Sequence, residues 1–199
     1  HNENSYQQKW PGFVCFYCQA PATVGGETSL ADGRAVFRKI RAEVRAKFEA
    51  LGVMYIRNYG LGLDLSWSEA FQTDEKGMVE KYCVANGIEF EWKGSDRLTT
   101  RQIRPAIIKH PDTGESVWFN QAHLFHPTAL AGEVYKALAD SFDVNWRKGD
   151  LLILDNMLAS HGRQAFQGQR KLLVAMANPF SIQEGLVCSA SAGSSKGVS

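Results

Sequence analysis

Apolar residues recur along the chain in two rhythms, and each predicts its own kind of element. Val36, Phe37, Ile40, Val44, Phe48 and Leu51 fall three and four apart, the spacing of one helix face, and Gly52 follows the last of them. With Asp32 placed to cap its start, this pattern predicts an amphipathic helix over 33–51 that stops at the glycine. "PGFVCFYCQAP" is instead a short continuous apolar run bounded by prolines. It predicts a strand buried on both faces, leading into the loop "ATVGGETSLAD". "VMYIRNYG" (53–60), β-branched and aromatic, predicts another strand.

Further along, "SWSEAFQTDEKGMVEKYCVANG" predicts a short helix and then a longer one over 74–86, capped by the Thr73 hydroxyl. Strands are predicted at 89–92, 100–108 and 116–120, the last two separated by the turn residues of "HPDTGE". "GEVYKALADSF" predicts one more helix. The runs "DLLILDN" (150–156) and "RKLLVAMANPF" (170–180) predict the final strands, joined by the polar loop "MLASHGRQAFQGQ". The tail ending in "SASAGSSKGVS" has little to bury and is expected to be flexible over 186–199, leaving 1–185 as one domain. No repeat interrupts this order, and the helices are too few for strand–helix alternation. The expected class is α+β, mainly β, on an antiparallel core.

Composition narrows the function. A chain of 199 residues with 44% apolar and 22% charged residues can bury the core of a single domain. Its 22 basic against 21 acidic residues leave a formal charge of +1, so no general electrostatic attraction to nucleic acid or an anionic membrane is expected. No apolar run approaches the roughly 20 residues of a membrane span, and no signal peptide is expected from the residues at hand. Of the four cysteines, Cys15 and Cys18 in "CFYC" are spaced like a metal pair. Three apart on a strand they face opposite sides and cannot chelate together, so they are expected as reduced core thiols, which suits a cytoplasmic protein.

Candidate chemistry begins at "HNENSY". On a strand His1 and Glu3 project to one side, where an imidazole and a carboxylate could share a metal ion. His161, a few residues past "DLLILDN", supplies a third ligand. Two histidines and a carboxylate in this order form the facial triad of non-heme Fe(II) oxygenases, with three coordination positions left open. Spacing alone also fits a solvated polar end. A first-residue histidine could in addition clasp copper through its amine and imidazole, as secreted copper oxygenases do, although the reduced cysteines speak against secretion.

Several spaced motifs occur together: "HNENSY", "WPGFVCFYCQAPATVGGETSLADGR", "VMYIRNYG", "RPAIIKHPDTGESVWFNQAHLFHP" and "GDLLILDNMLASHGRQAFQGQRKLLVAM". In content and order they resemble the Fe(II)- and 2-oxoglutarate-dependent dioxygenases of the TauD/TfdA type, and within it the SyrP-like amino-acid hydroxylases of natural-product pathways. The resemblance runs from His1 to about Phe180. It implies a double-stranded β-helix, or jelly roll, with flanking helices. It also implies Fe(II) held by His1, Glu3 and His161, with O2 and 2-oxoglutarate as co-substrates. Thr28 and Arg170 match positions that hold the distal carboxylate of 2-oxoglutarate. Arg170 is expected beside the strand preceding His161. A guanidinium fork meets a carboxylate bidentately and keeps its proton, so an arginine suits that anion.

The same resemblance implies hydroxylation of an amino acid or of an amino-acyl unit tethered to a carrier protein. Related halogenases have a small residue where Glu3 stands, so halogenation is disfavoured. A non-catalytic regulator on the same fold is the alternative in another class. Members usually carry a substantial segment before the His-x-Glu motif, so the resemblance implies that an N-terminal part of the barrel is missing. Other candidates each have a structural reading. His123 and His126 of "HLFH" fit a loop or a substrate-facing role. Asn120 and Gln121 fit an active-site wall, or amides that satisfy backbone groups. Arg163 is a surface loop residue or a substrate contact, and Arg104 is a candidate for the substrate entrance. The tryptophans are expected mostly in the core.

Overall fold

The computed structural model describes residues 1–60, 65–94, 96–122 and 142–181. These form thirteen strands and four helices, and the strands pair antiparallel throughout. The strand β1 (Lys9–Ala20) lies between β10 (Leu151–Asp155) and β13 (Lys171–Ser181). A second sheet has the order β11 (Ala159–Arg163), β3 (Thr28–Asp32), β9 (Phe142–Val144). Val14, Phe16 and Leu154 of the first sheet and Leu30 of the second share one buried cluster, with Val144, Trp146, Leu152, Ala159 and Leu172 packed around it. Two sheets facing each other across one apolar layer make the jelly-roll core expected for this chain.

β1 is buried on one face rather than two. Val14, Phe16 and Cys18 are at most 8% exposed, whereas Phe13 and Tyr17 on the alternate positions are 39% and 42% exposed. A continuous apolar run carries no information about which side is covered, and among the described residues no layer covers the second face. β13 follows β1 along its edge and not β10, so β1 separates Arg170 from the strand preceding His161. That corrects the expected neighbour of Arg170.

The helices flank this core. The predicted helix over 33–51 is two helices, α1 (Gly33–Lys39) and α2 (Ala42–Leu51), because Ile40 is extended at φ −68°, ψ 134°. Spacing registers which residues face the core and not whether the backbone stays helical between them. Phe37 of α1 and Phe48 of α2 still pack on one cluster with Val53, Ile107 and Trp118. Asp32 caps α1 by accepting from Arg34 N, and Gly52 ends α2 at φ 69°, where an added Cβ would meet Arg104 O at 2.6 Å.

The strands β4 (Val53–Tyr59), β6 (Arg97–Arg104) and β5 (Glu89–Lys93) form a third sheet. It is covered by α3 (Trp67–Phe71) and α4 (Lys76–Ala85), with Trp67, Val79 and Cys83 packed on Tyr59 and Leu98. α4 starts later than predicted: Thr73 Oγ1 accepts from Glu75 N, and the helix opens at Lys76. The predicted strand over 100–108 is divided at Pro105, which has no N–H for a ladder, into β6 and β7 (Ile107–Lys109). β7 pairs with β8 (Ser116–Trp118) across the "HPDTGE" turn.

Two stretches read as loops are strands. "ETSLAD" contains β3, and "ASHGR" is β11; their flanks add β2 (Val24–Gly25) paired with β12 (Phe166–Gln167). Their polar residues hide the strand period, and only the partner strand supplies the hydrogen bonds that keep them extended. Of "GEVYKALADSF", only Phe142 lies within the described residues, where it opens β9; His123, His126 and the tail over 186–199 lie outside them. Among the described residues no helix is long and apolar enough to cross a membrane.

Candidate metal centre and anion pocket

His161 sits mid-strand in β11, opposite Leu30 of β3, and its other edge is taken by His1. His1 N donates to His161 O at 2.7 Å, and His161 N donates to His1 O at 2.8 Å. This is the reciprocal pattern of a hydrogen-bonded antiparallel pair, which sets two side chains on one face. After His1 the chain alternates as its spacing implies: Asn2 turns inward and is 1% exposed, and Glu3 returns to the side of His1. A turn then reverses the chain through Asn4, at φ 55°.

His1, Glu3 and His161 therefore converge. Their candidate ligand atoms all lie within 4.8 Å of one another. Glu3 Oε2 is 3.6 Å from His1 Nε2 and 3.7 Å from His161 Nε2. The two imidazoles hold the Glu3 carboxyl down at about 2, against a burial that would raise it. His161 is packed edge-on against Phe16, with ring centroids 5.1 Å apart. The main-chain nitrogen of His1 that a copper clasp would need is spent on His161 O.

The backbone of Glu3 is gripped from behind. Asn156, wholly buried in the turn after β10, accepts from Glu3 N at 2.7 Å and donates to Glu3 O at 3.0 Å. Asn2 Nδ2 donates to Asn156 O at 2.7 Å, and Gln121 Nε2 donates to Asn2 O at 2.9 Å. Asn156 and Asn2 were not singled out from the sequence; the available signal was an asparagine ending an apolar strand, where a buried polar group must find partners.

Thr28 opens β3 two positions before Leu30, the residue opposite His161. That offset is about 7 Å along a strand. Arg170 reaches the same place: its Nε donates to Gly26 O at 2.9 Å, and its NH2 group lies 3.4 Å from Thr28 Oγ1. Trp146 Nε1 donates to Thr28 Oγ1 at 2.9 Å. Among the described residues no carboxylate pairs with Arg170, and both burial and the charge of Arg163 push its pKa below the ordinary arginine value. A half-buried cation with these neighbours is able to receive an anion. Gly26 permits the approach, since a Cβ there would stand 3.0 Å from Arg170 Cδ, at a φ of 77°.

His1 and Glu3 open onto a cavity of about 1450 Å³ whose walls include Tyr55, Tyr82, Arg104 and Gln121. Arg104, 4% exposed, spends its guanidinium on Tyr6 O, Ile103 O, Asn86 O and Gln102 Oε1. It braces the wall more than it offers a free charge to a ligand. Asn120 is likewise committed, donating to Ala106 O and accepting from Ala122 N. Gln121 both lines the cavity and holds Asn2. Arg163 is exposed and lies over the Phe166 ring, 5.2 Å from its centroid.

The donor set fits a divalent first-row metal: two imidazoles and one carboxylate on one face leave the opposite positions open, the pattern suited to Fe(II). A family model described as taurine catabolism dioxygenase TauD, TfdA family, matches residues 1–144 and 130–176. The dapdiamide synthesis protein DdaC of Enterobacter agglomerans is 39% identical over 213 residues, covering 90% of this chain and 65% of that protein. A clavaminate synthase-like protein of Arabidopsis thaliana is 24% identical over 209 residues, covering 88% of this chain and 63% of its own length. The chain thus spans just under two thirds of these curated relatives. Among solved structures, AAD-2 in complex with Mn(II) and N-oxalylglycine superposes with a TM-score of 0.54 at 16% identity, covering 89% of this chain and 67% of that one. A taurine dioxygenase from Burkholderia xenovorans superposes at 0.53 and 15% identity, covering 92% and 60%. At such identities these two likenesses speak to the fold.

Proposed function

The chain belongs to the TauD/TfdA dioxygenase family, and from that premise we propose that the whole protein is an Fe(II)- and 2-oxoglutarate-dependent hydroxylase. Its substrate class is an amino acid, or an amino-acyl unit tethered to a carrier protein, in natural-product biosynthesis. The similarity to a dapdiamide synthesis protein supports that setting. The observation that carries the reading is the convergence of His1, Glu3 and His161 from opposite ends of the chain onto one point.

In this reading those three side chains hold the metal from one side. When Fe(II) is bound, 2-oxoglutarate and O2 are converted to succinate and CO2 with insertion of one oxygen atom into a substrate C–H bond. Arg170 and Thr28 receive the distal carboxylate of 2-oxoglutarate, and the offset along β3 between Thr28 and the residue facing His161 suits a short dicarboxylate stretched between them. Phe16, packed edge-on against the His161 ring, keeps that side apolar and limits water beside the ligand. The substrate occupies the cavity bounded by Tyr55 and Gln121, which orients one C–H toward the metal position. The presence of the Glu3 carboxylate favours hydroxylation over halogenation.

The test is an assay of the full-length protein with Fe(II), 2-oxoglutarate, O2 and a panel of free and carrier-loaded amino acids. Succinate release with a substrate mass gain of one oxygen is expected. Succinate no higher than that of a folded His161→Ala control would overturn the reading in favour of a non-catalytic role.

A further inference from the structure

Asn156 makes more directed contacts to the metal-ligand segment than any residue the sequence pointed to. Its side chain behaves like a strand residue laid beside Glu3. Oδ1 accepts the Glu3 N–H at 2.7 Å, one Nδ2 hydrogen goes to Glu3 O at 3.0 Å, and the other goes to Pro11 O at 2.8 Å. Its backbone is equally committed, with N donating to Gly12 O at 2.8 Å and O accepting from Asn2 Nδ2 at 2.7 Å. The residue is 0% exposed, so water cannot substitute for any of these bonds. Only one amide orientation works, because a flipped group would set its NH2 against the Glu3 N–H.

We propose that Asn156 is the positioning residue of the metal centre: it clamps both main-chain groups of Glu3 and so fixes the backbone from which the carboxylate reaches the metal position. The proposal rests on the metal-centre reading above. Glu3 lies at the head of a turn, and among the described residues its N–H and C=O find their partners in Asn156 and not in a strand ladder. A carboxylate on such a segment has χ angles free to swing, and the backbone is what a neighbour can hold. Asn156 also ties that backbone to β1 through Pro11 and Gly12, and to the strand pair that carries His161 through its own place between β10 and β11. Both halves of the ligand set are thereby referred to one buried amide. Outer-shell partners of this kind typically control metal affinity by roughly 10- to 100-fold.

An aspartate at 156 keeps the size and the acceptor for Glu3 N–H. It loses both donations and sets a carboxylate against two carbonyl oxygens. On the full chain, Asn156→Asp is expected to lower Mn(II) affinity, measured by calorimetry or by the paramagnetic resonance of free Mn(II), by roughly 10- to 100-fold. A buried substitution remote from the site that costs the same melting temperature, Leu98→Ala, is expected to leave Mn(II) affinity unchanged. The discriminating readout is the double substitution: in a Glu3→Ala background Asn156→Asp should add nothing to the loss, since it acts through Glu3. Unaltered Mn(II) affinity in Asn156→Asp, or an additive loss in the double variant, overturns the proposal. Mn(II) binding that ignores Glu3→Ala overturns the metal-centre reading instead. Should Asn156→Asp fail to fold, hydrogen exchange in the unmodified protein decides: the Glu3 amide should be protected, and free exchange of that amide would refute the clamp.

Discussion

His1 and His161 face each other as a hydrogen-bonded antiparallel pair although 160 positions separate them, with their rings 4.5 Å apart between centroids. The pairing puts both imidazoles on the face where Glu3 returns. A metal bound there should therefore depend on all three side chains at once. Replacing Glu3 or His161 by alanine is expected to lower Mn(II) affinity by more than the roughly 100-fold ceiling of outer-shell changes. Calorimetric titration of the folded variants checks this, and retention of wild-type affinity by either would remove that residue from the ligand set.

In the proposed site Arg170 governs a different quantity. Truncation to alanine removes a charge-assisted contact to an anion in a half-buried socket, a loss of about 2 to 5 kcal/mol. At about 1.4 kcal/mol per tenfold, the apparent affinity for 2-oxoglutarate falls by roughly one and a half to three and a half orders of magnitude. Mn(II) affinity without 2-oxoglutarate should persist. If 2-oxoglutarate binding is unaffected, the socket belongs elsewhere and Arg163, whose charge bears on Arg170, is the next residue to replace.

Gly26 links the two observations about that socket. A Cβ at 26 would meet Arg170 Cδ and Nε at 3.0 and 3.1 Å. Gly26→Ala should displace the guanidinium from Thr28 and weaken 2-oxoglutarate while sparing the metal. The strained φ of 77° adds a stability loss of roughly 1 to 3 kcal/mol, visible in the melting temperature. Equal affinities for 2-oxoglutarate in the two proteins would show that the loop can yield.

The metal-free protein should also report Glu3 through pH. Its carboxyl falls from an ordinary 4.5 to about 2 in the folded chain. A depressed folded value means that the ionised carboxylate stabilises the fold, fully above the ordinary value, and that this contribution is lost as pH falls from 4.5 toward 2. Its upper bound is about 3 kcal/mol, from 1.36 kcal/mol per pH unit. Glu3→Gln should flatten the acid limb of a chemical-denaturation series in that window, and parallel acid limbs for the two proteins would contradict the assignment.

Much of this was legible along the chain. The apolar run of β1, the cap and glycine stop around α1 and α2, and the turn between β7 and β8 are local matters, set by side-chain period, a capping carboxylate and a backbone that only glycine adopts easily. That His1, Glu3 and His161 belong together was legible too, not from their spacing, which also fits a solvated polar end, but because the spaced motifs around them repeat the pattern of a family. What the chain could not declare was anything that depends on a second segment. Whether 33–51 is one helix or two turns on the extended backbone at Ile40, and which face of β1 is covered follows from what packs against it. β3 and β11 look like polar loops until each supplies the other's hydrogen bonds. Asn156 is one asparagine among several in sequence, and only the folded chain brings Glu3, Pro11, Gly12 and Asn2 to its five polar contacts. Residue type specifies which groups can bind a metal or an anion; closing the chain across 160 positions decides which of them meet, because a contact between distant segments has no signature in either segment alone.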